Sequence, residues 1–170
     1  STIFPYHVSA RTPNSEFFKI PKEEVWLIME NYLYLTKTAF NLRIHSFVLM
    51  SNHFHLLVST PEANISASMN YFMGENSREM NRSSGRQNQN WGQRHHKTLI
   101  TSYHYYMNAY KYIYRNPVRA GLSENVQSYR YSTLAGLLGY TQQIIPIEND
   151  MILFEPNFST NNLQWLNTPS

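Results

Sequence analysis

His53 and His55 stand one residue apart, on either side of Phe54, at the start of a hydrophobic and β-branched run. Alternate side chains of a strand share a face, so His53, His55, Leu57 and Ser59 point one way and Phe54, Leu56 and Val58 the other. Two imidazoles so placed can ligate one ion while the phenylalanine between them anchors the strand in a core. The chain has no cysteine, so any metal must be held by histidine, carboxylate or amide oxygen. The same pattern also arises where two histidines merely flank a core phenylalanine on a wet face. Spacing alone leaves both readings open.

A second group lies further along. Tyr105, Asn108, Tyr112 and Asn116 form one stripe at helical spacing, with Tyr112 and Asn116 related as i and i+4. If that stripe lies over the histidine strand, the Asn116 amide completes the protein ligands of an ion and the Tyr112 phenol sits beside it. The same segment also carries Tyr103, Tyr106, Tyr110 and Tyr114, so spacing does not single out Tyr112.

Arg78, Arg82 and Arg86 recur every four residues, followed by Arg94 and Lys97 and opposed by Glu79. Such a row can track a phosphate backbone, though it can equally be a solvated helix face. Asn88, Gln89, Asn90, Gln93, His95 and His96 add groups suited to base edges. His95 and His96 are neighbours on an expected strand and point to opposite faces, so they do not readily share one ion. Arg119, just past the tyrosine segment, and Arg11 near the N-terminus are further phosphate candidates. The net charge of +3 and pI near 9.1 are compatible with a polyanionic partner without requiring one. No uncharged apolar run approaches the roughly 18 to 20 residues that span a bilayer, and the N-terminus lacks a basic-then-apolar pattern. The expectation is a cytoplasmic protein without a membrane partner.

The elements that must position these groups can be read from periodicity. Phe4 to Arg11 reads as a strand, and Pro21 to Phe40 as a helix with Pro21 and Glu23–Glu24 at its start. Leu42 to Met50 and His53 to Thr60 form a hairpin across Ser51-Asn52. Ile65 to Arg82 reads as a second helix and Ser83 to Asn90 as a mobile loop. Trp91 to Ser102 is expected as a fourth strand, and Tyr103 to Asn116 as a third helix stopped by Pro117. A short helix follows at Thr133 to Leu138. Strand, helix, strand, strand, helix, strand, helix is the split βαβ order, so the expected class is α+β. It predicts a ferredoxin-like or RRM-like four-stranded antiparallel sheet, with helices on one face. Residues 1–140 form the domain. Residues 141–170 form an irregular tail docked on it through Ile144, Ile145, Ile147 and Met151 to Phe154.

With these residues in view, a family resemblance emerges. Val48-Leu49-Met50-Ser51-Asn52-His53-Phe54-His55-Leu56-Leu57-Val58 closely resembles the hairpin of HUH single-tyrosine transposases, specifically the REP-associated tyrosine transposases. Tyr112-Ile113-Tyr114-Arg115-Asn116-Pro117-Val118-Arg119-Ala120-Gly121-Leu122 resembles their nucleophile helix and the segment after it. His7-Val8-Ser9-Ala10-Arg11 and Trp91-Gly92-Gln93-Arg94 resemble the first and fourth strands. Ser51 stands where proline is usual and Phe54 where valine is common; neither departure removes a reactive group. The resemblance implies that Tyr112 is the nucleophile and that His53, His55 and Asn116 hold Mg²⁺ or Mn²⁺. Asn116 stands where relatives outside this group carry glutamine. The implied activity is cleavage and rejoining of single-stranded, hairpin-forming DNA through a 5′-phosphotyrosine. The alternative is a non-cleaving module of the same fold that binds structured DNA or RNA. A monomer is expected, with a homodimer as the alternative.

Overall fold

The computed structural model describes residues 1–148 and 160–169. Met151 to Phe154, expected to help dock the tail, lie outside the described residues. The elements are β1 (Tyr6–Arg11), α1 (Lys22–Phe40), β2 (Arg43–Leu49), β3 (His53–Ser59), α2 (Ile65–Ser84), β4 (His96–Leu99), α3 (Tyr103–Arg119), α4 (Thr133–Leu137) and α5 (Thr160–Asn167). Local chemistry accounts for most boundaries. Glu23 and Glu24 lie in the first turn of α1 and Lys37 in its last, complementing the helix dipole at both ends. Gly85 closes α2 at a left-handed φ of 69°, donating its N–H to the Asn81 carbonyl. Ser102 caps α3 by accepting from the Tyr105 N–H.

The sheet order is β2-β3-β1-β4, with every neighbouring pair antiparallel. β1 therefore runs through the middle, and its register places His7 opposite Leu57, Ser9 opposite His55 and Arg11 opposite His53. The Ser51-Asn52 connection is tight, closed by the Met50 N–H donating to the His53 carbonyl at 2.8 Å.

Helices cover both faces of the sheet, where one covered face was expected. On one side α1 and α2 enclose a core of Val25, Met29, Leu33, Met69 and Phe72 against Phe54, Leu56 and Val58. On the other, Ala109, Tyr110, Ile113 and Tyr114 of α3 pack on Val48, Leu57 and Ile100. Leu57 is the physical reason: it shares the histidine face, and a fully buried leucine there needs a cover worth about 2 kcal/mol. The histidines thus sit between β3 and α3 and not on an open surface.

Four further expectations are corrected. The fourth strand is shorter than Trp91 to Ser102, because Trp91 leaves the strand line and turns inward. Its ring lies 5.4 Å from Phe54 and 5.7 Å from Phe18, and its indole N–H donates to Asn76 Oδ1 at 3.0 Å. The loop before it is tied down by side-chain amides. Asn90 Nδ2 donates to Ser77 Oγ at 2.8 Å and Asn81 Oδ1 at 3.0 Å, and the Asn88 N–H donates to Asn81 Oδ1. The third helix does not stop at Pro117, which is buried inside it, and runs on to Arg119. Only the N–H that would bond Ile113 is lost, and packing of Pro117 holds the last turn. The tail is not wholly irregular. Residues 160–167 form α5, with Leu166 buried in the α3 core and its carbonyl accepting from Arg115 Nη1 at 3.1 Å.

Tyr114 sits at the centre of this second core, with its hydroxyl and Thr133 Oγ1 2.7 Å apart. Tyr114→Phe is expected to cost about 1–2 kcal/mol, the usual worth of a buried hydrogen bond. Thermal unfolding should show a drop of several degrees in Tm.

Candidate active site

Register and helix phase bring the predicted groups together. His53 and His55 project from β3 with ring centroids 5.0 Å apart. Asn116 Nδ2 on α3 donates to His55 Nε2 at 3.1 Å. Asn116 also lies close to His53, where it offsets a small part of the lowering that burial imposes on that imidazole's pKa. The Tyr112 ring lies 5.6 Å from that of His55, edge to face. The i, i+4 pair of α3 thus faces the i, i+2 pair of β3.

The structure also separates Tyr112 from the other tyrosines of its helix. Tyr110 and Tyr114 are 1% exposed and belong to the core, where burial raises the Tyr114 phenol well above its ordinary pKa. Tyr103, Tyr105 and Tyr106 lie in the first turn, more than one helical turn before Tyr112, and Tyr106 packs on the core beside Tyr110. Tyr112 is 40% exposed, with its ring against His7 and His55. The continuation of α3 past Pro117 adds Arg119 to this face, its guanidinium 5.0 Å from the Tyr112 ring centroid. A helix ending at Asn116 would not have placed it there.

His7 belongs to the cluster and was not singled out by sequence. Its Nε2 lies 2.9 Å from His55 Nδ1, and its ring is 6.0 Å from Tyr112. The available signal was the strand phase: His7, Ser9 and Arg11 alternate, and one of the two faces of β1 had to meet the histidine face of β3.

The basic candidates divide between the two layers. Arg11 and Arg94 line a groove of about 500 Å³ with Ser9, Asn14, Gln93 and His96, beside β1 at the site. Arg11 is close enough to lower the pKa values of both site histidines. Arg78 and Arg82 lie on α2, in the opposite layer, and are paired with Glu75 and Glu79. Arg86 lines a surface hollow with them. Lys97 faces α2 as well, donating to Ser66 Oγ at 3.1 Å. The structure does not bring these four to the histidines.

Among the described residues no set of three His, Cys, Asp or Glu side chains is placed to hold a metal. A divalent ion would therefore be held by two imidazoles and the Asn116 amide, a set that suits Mn²⁺ or Mg²⁺ with the remaining positions left to substrate and water. The donor chemistry fits. Both outer imidazole nitrogens are already engaged, His53 Nδ1 by Asn52 Oδ1 at 2.6 Å and His55 Nδ1 by His7. Burial holds His53 at a pKa of about 4, helped by the Arg11 charge, and His55 lower still, so both are the neutral bases that ligation requires.

This depression has a consequence for stability. The folded pKa values lie below the unfolded value of about 6.5, so unfolded chains take up protons first as pH falls. The stability conferred by neutral histidines is complete above pH 6.5 and is lost as pH falls toward the folded pKa of His53, about 4. Metal-free protein is expected to lose on the order of 2 kcal/mol between pH 7 and 4.5, after discounting for partial solvent access. Urea unfolding at fixed ionic strength would show no such loss if the two histidines titrated in the fold as they do in the unfolded chain, and a gain in stability as pH falls if they stayed protonated in it.

A four-stranded sheet with paired histidines under a tyrosine–asparagine helix, in a chain whose sequence aligns with transposases, marks the class as a DNA transposase. Residues 6–116 match the family described as "Transposase IS200 like", and the chain belongs to that family. The match runs from the first residue of β1 to Asn116 and so contains all five residues of the cluster. The fold is similar to a REP-associated tyrosine transposase solved bound to a REP hairpin, with a TM-score of 0.68, 17% identity and 86% of each chain covered. A protein from Deinococcus radiodurans R1, described as a transposase, aligns over 64% of this chain and 87% of its own at 20% identity and a TM-score of 0.48. No curated protein matches the sequence. No helix among the described residues is long and apolar enough to cross a membrane.

Proposed function

We propose that this transposase cleaves and rejoins single-stranded, hairpin-forming DNA of the repetitive palindromic kind, with Tyr112 as nucleophile. The observation that carries the reading is the Tyr112 ring against His55, 5.6 Å between centroids, with Asn116 bonded to the same imidazole. A nucleophile and three ligand groups converge on one spot.

Tyr112 Oη attacks the phosphorus, the bond to the 3′ oxygen breaks, and the phenol proton passes to solvent while the leaving oxygen is protonated. The products are a 5′-phosphotyrosine and a free 3′-hydroxyl. Attack by a 3′-hydroxyl on the ester reverses the step and joins strands, so the bond energy is kept and no nucleotide is consumed. His53, His55 and Asn116 would hold Mg²⁺ or Mn²⁺, which when bound supplies Lewis acidity toward the scissile phosphate. Arg119 steadies the tyrosine ring from above and brings positive charge to the phosphate. Arg11 and Arg94 guide the strand along the groove beside β1, where Gln93 and His96 offer hydrogen bonds to unstacked bases. Arg78, Arg82, Arg86 and Lys97 would touch only DNA that wraps past the sheet to the α2 layer. Residues 1–140 carry all of this machinery in one chain, which supports a monomer. The similar structure bound to a REP hairpin supports the choice of substrate.

Labelled hairpin DNA incubated with the protein and Mn²⁺ tests the reading on a denaturing gel. A covalent adduct that disappears with chelator is expected. Tight binding without product would instead make the chain a non-cleaving hairpin-binding module.

A further inference from the structure

With the Asn52 and Asn116 amides oriented as they stand, one arrangement of protons satisfies the hydrogen bonds around the two histidines. Asn52 Nδ2 donates to the Ser15 carbonyl at 2.8 Å, which turns its Oδ1 toward His53 Nδ1. An amide oxygen can only accept, so the His53 proton is on Nδ1 and its Nε2 presents a lone pair. Asn116 Nδ2 can only donate, so His55 Nε2 accepts and its proton is on Nδ1. That proton is then given to His7 Nε2, 2.9 Å away, and His7 keeps its own proton on Nδ1. The reverse order, with His7 donating, would leave a His55 Nε2–H facing an amide N–H.

Both outer acceptors are held by elements other than β3. Ser15 belongs to the turn after β1, where Asn14 and Ser15 take left-handed φ angles of 55°, and this turn is joined to the hairpin by the Thr12 N–H donating to the Asn52 carbonyl at 3.0 Å. His7 stands on β1 itself, two residues from Ser9, which pairs opposite His55. β1 and its following turn thus set the proton positions of a site whose ligands lie on β3 and α3.

We propose, on the footing that the site holds a divalent ion, that His7 and Asn52 are positioning residues that lock His55 and His53 as Nδ1–H tautomers. Both Nε2 atoms are then presented inward before the ion arrives. Free imidazole favours the Nε2–H tautomer, so without the lock each ligand would have to shift its proton before binding.

The test uses the full chain in two states. In metal-free protein with ¹⁵N-labelled histidine, long-range ¹H–¹⁵N spectra should show His53 and His55 as Nδ1–H. His7→Phe keeps a ring against Tyr112 and removes the acceptor, so His55 should revert toward Nε2–H while His53 stays unchanged. Asn52→Ala should do the opposite. Calorimetric titration with Mn²⁺ should show a loss of about 10–100-fold in affinity for either variant, as expected for an outer partner of a metal ligand. His7→Gln restores an acceptor and should recover most of the loss. If His7 acts only by packing, His7→Phe will bind Mn²⁺ normally and His7→Gln will not, and the proposal falls. Nε2–H tautomers in a wild type that binds Mn²⁺ overturn the lock alone. Nδ1–H tautomers in a wild type that binds no Mn²⁺ overturn the metal reading, and with it the purpose assigned to the lock.

Discussion

Tyr112→Phe is expected to lower covalent adduct formation on hairpin DNA by on the order of 10³-fold or more, because in the proposed reaction it removes the attacking oxygen itself. It should do so without unfolding the protein. Tyr112 is 40% exposed, and phenylalanine keeps the ring contacts with His7 and His55 and the cation–π contact with Arg119. Stability should stay within about 0.5 kcal/mol of wild type, the usual range for a surface change. Tyr114→Phe is the control with opposite signs: it weakens the second core and leaves adduct formation per folded molecule unchanged. A gel assay on both variants, normalised to folded protein by near-ultraviolet circular dichroism, separates the roles. An adduct that survives in Tyr112→Phe would move the nucleophile to another side chain, and cleavage without adduct would point to attacking water.

His55→Ala should weaken Mn²⁺ binding by about 100-fold or more, and adduct formation should fall with it. The basis is chemical: two neutral imidazoles and one amide are a sparse ligand set, and deleting one imidazole leaves a pair too weak to compete with water. His53→Ala should act in the same direction. Chelation of wild type should produce the same loss, restored by adding Mn²⁺ back, which no folding defect would allow. His55→Ala also takes the partner from His7 and from the Asn116 amide, so some loss of stability is expected. Calorimetric titration under conditions where both proteins are folded keeps the two effects apart. Unchanged Mn²⁺ affinity in His55→Ala would remove the ion from this site.

Much of the site could be read from spacing because strands and helices have fixed periods. His53 and His55 had to share a face of β3, and Tyr112 and Asn116 had to share a face of α3, whatever else the chain did. The helix α1 and the hairpin were legible for similar reasons, since Glu23, Glu24 and the Ser51-Asn52 pair act on their immediate neighbours. The errors cluster where distant packing overrides local preference. Trp91 has strand propensity, but a pocket between Phe18, Phe54 and Asn76 draws it out of the ladder. Pro117 reads locally as a stop, yet burial of α3 carries the helix through it. The row of Arg78, Arg82 and Arg86 is regular in sequence, but its direction relative to the site depends on which sheet face α2 covers.

The sequence by itself determined the pairings within each element: imidazole with imidazole, phenol with amide, and the neutral, cysteine-free donor set. Tertiary structure alone decided that α3 crosses the histidine face of β3, that Tyr112 and not Tyr110 or Tyr114 meets His55, and that His7 and Asn52 back the two imidazoles. The physical reason is range. Periodicity follows from backbone geometry a few residues at a time, whereas the meeting of residues 7, 55 and 112 follows from burying Leu57 and the apolar side of α3 against each other. That burial has no signature in any single stretch of the chain.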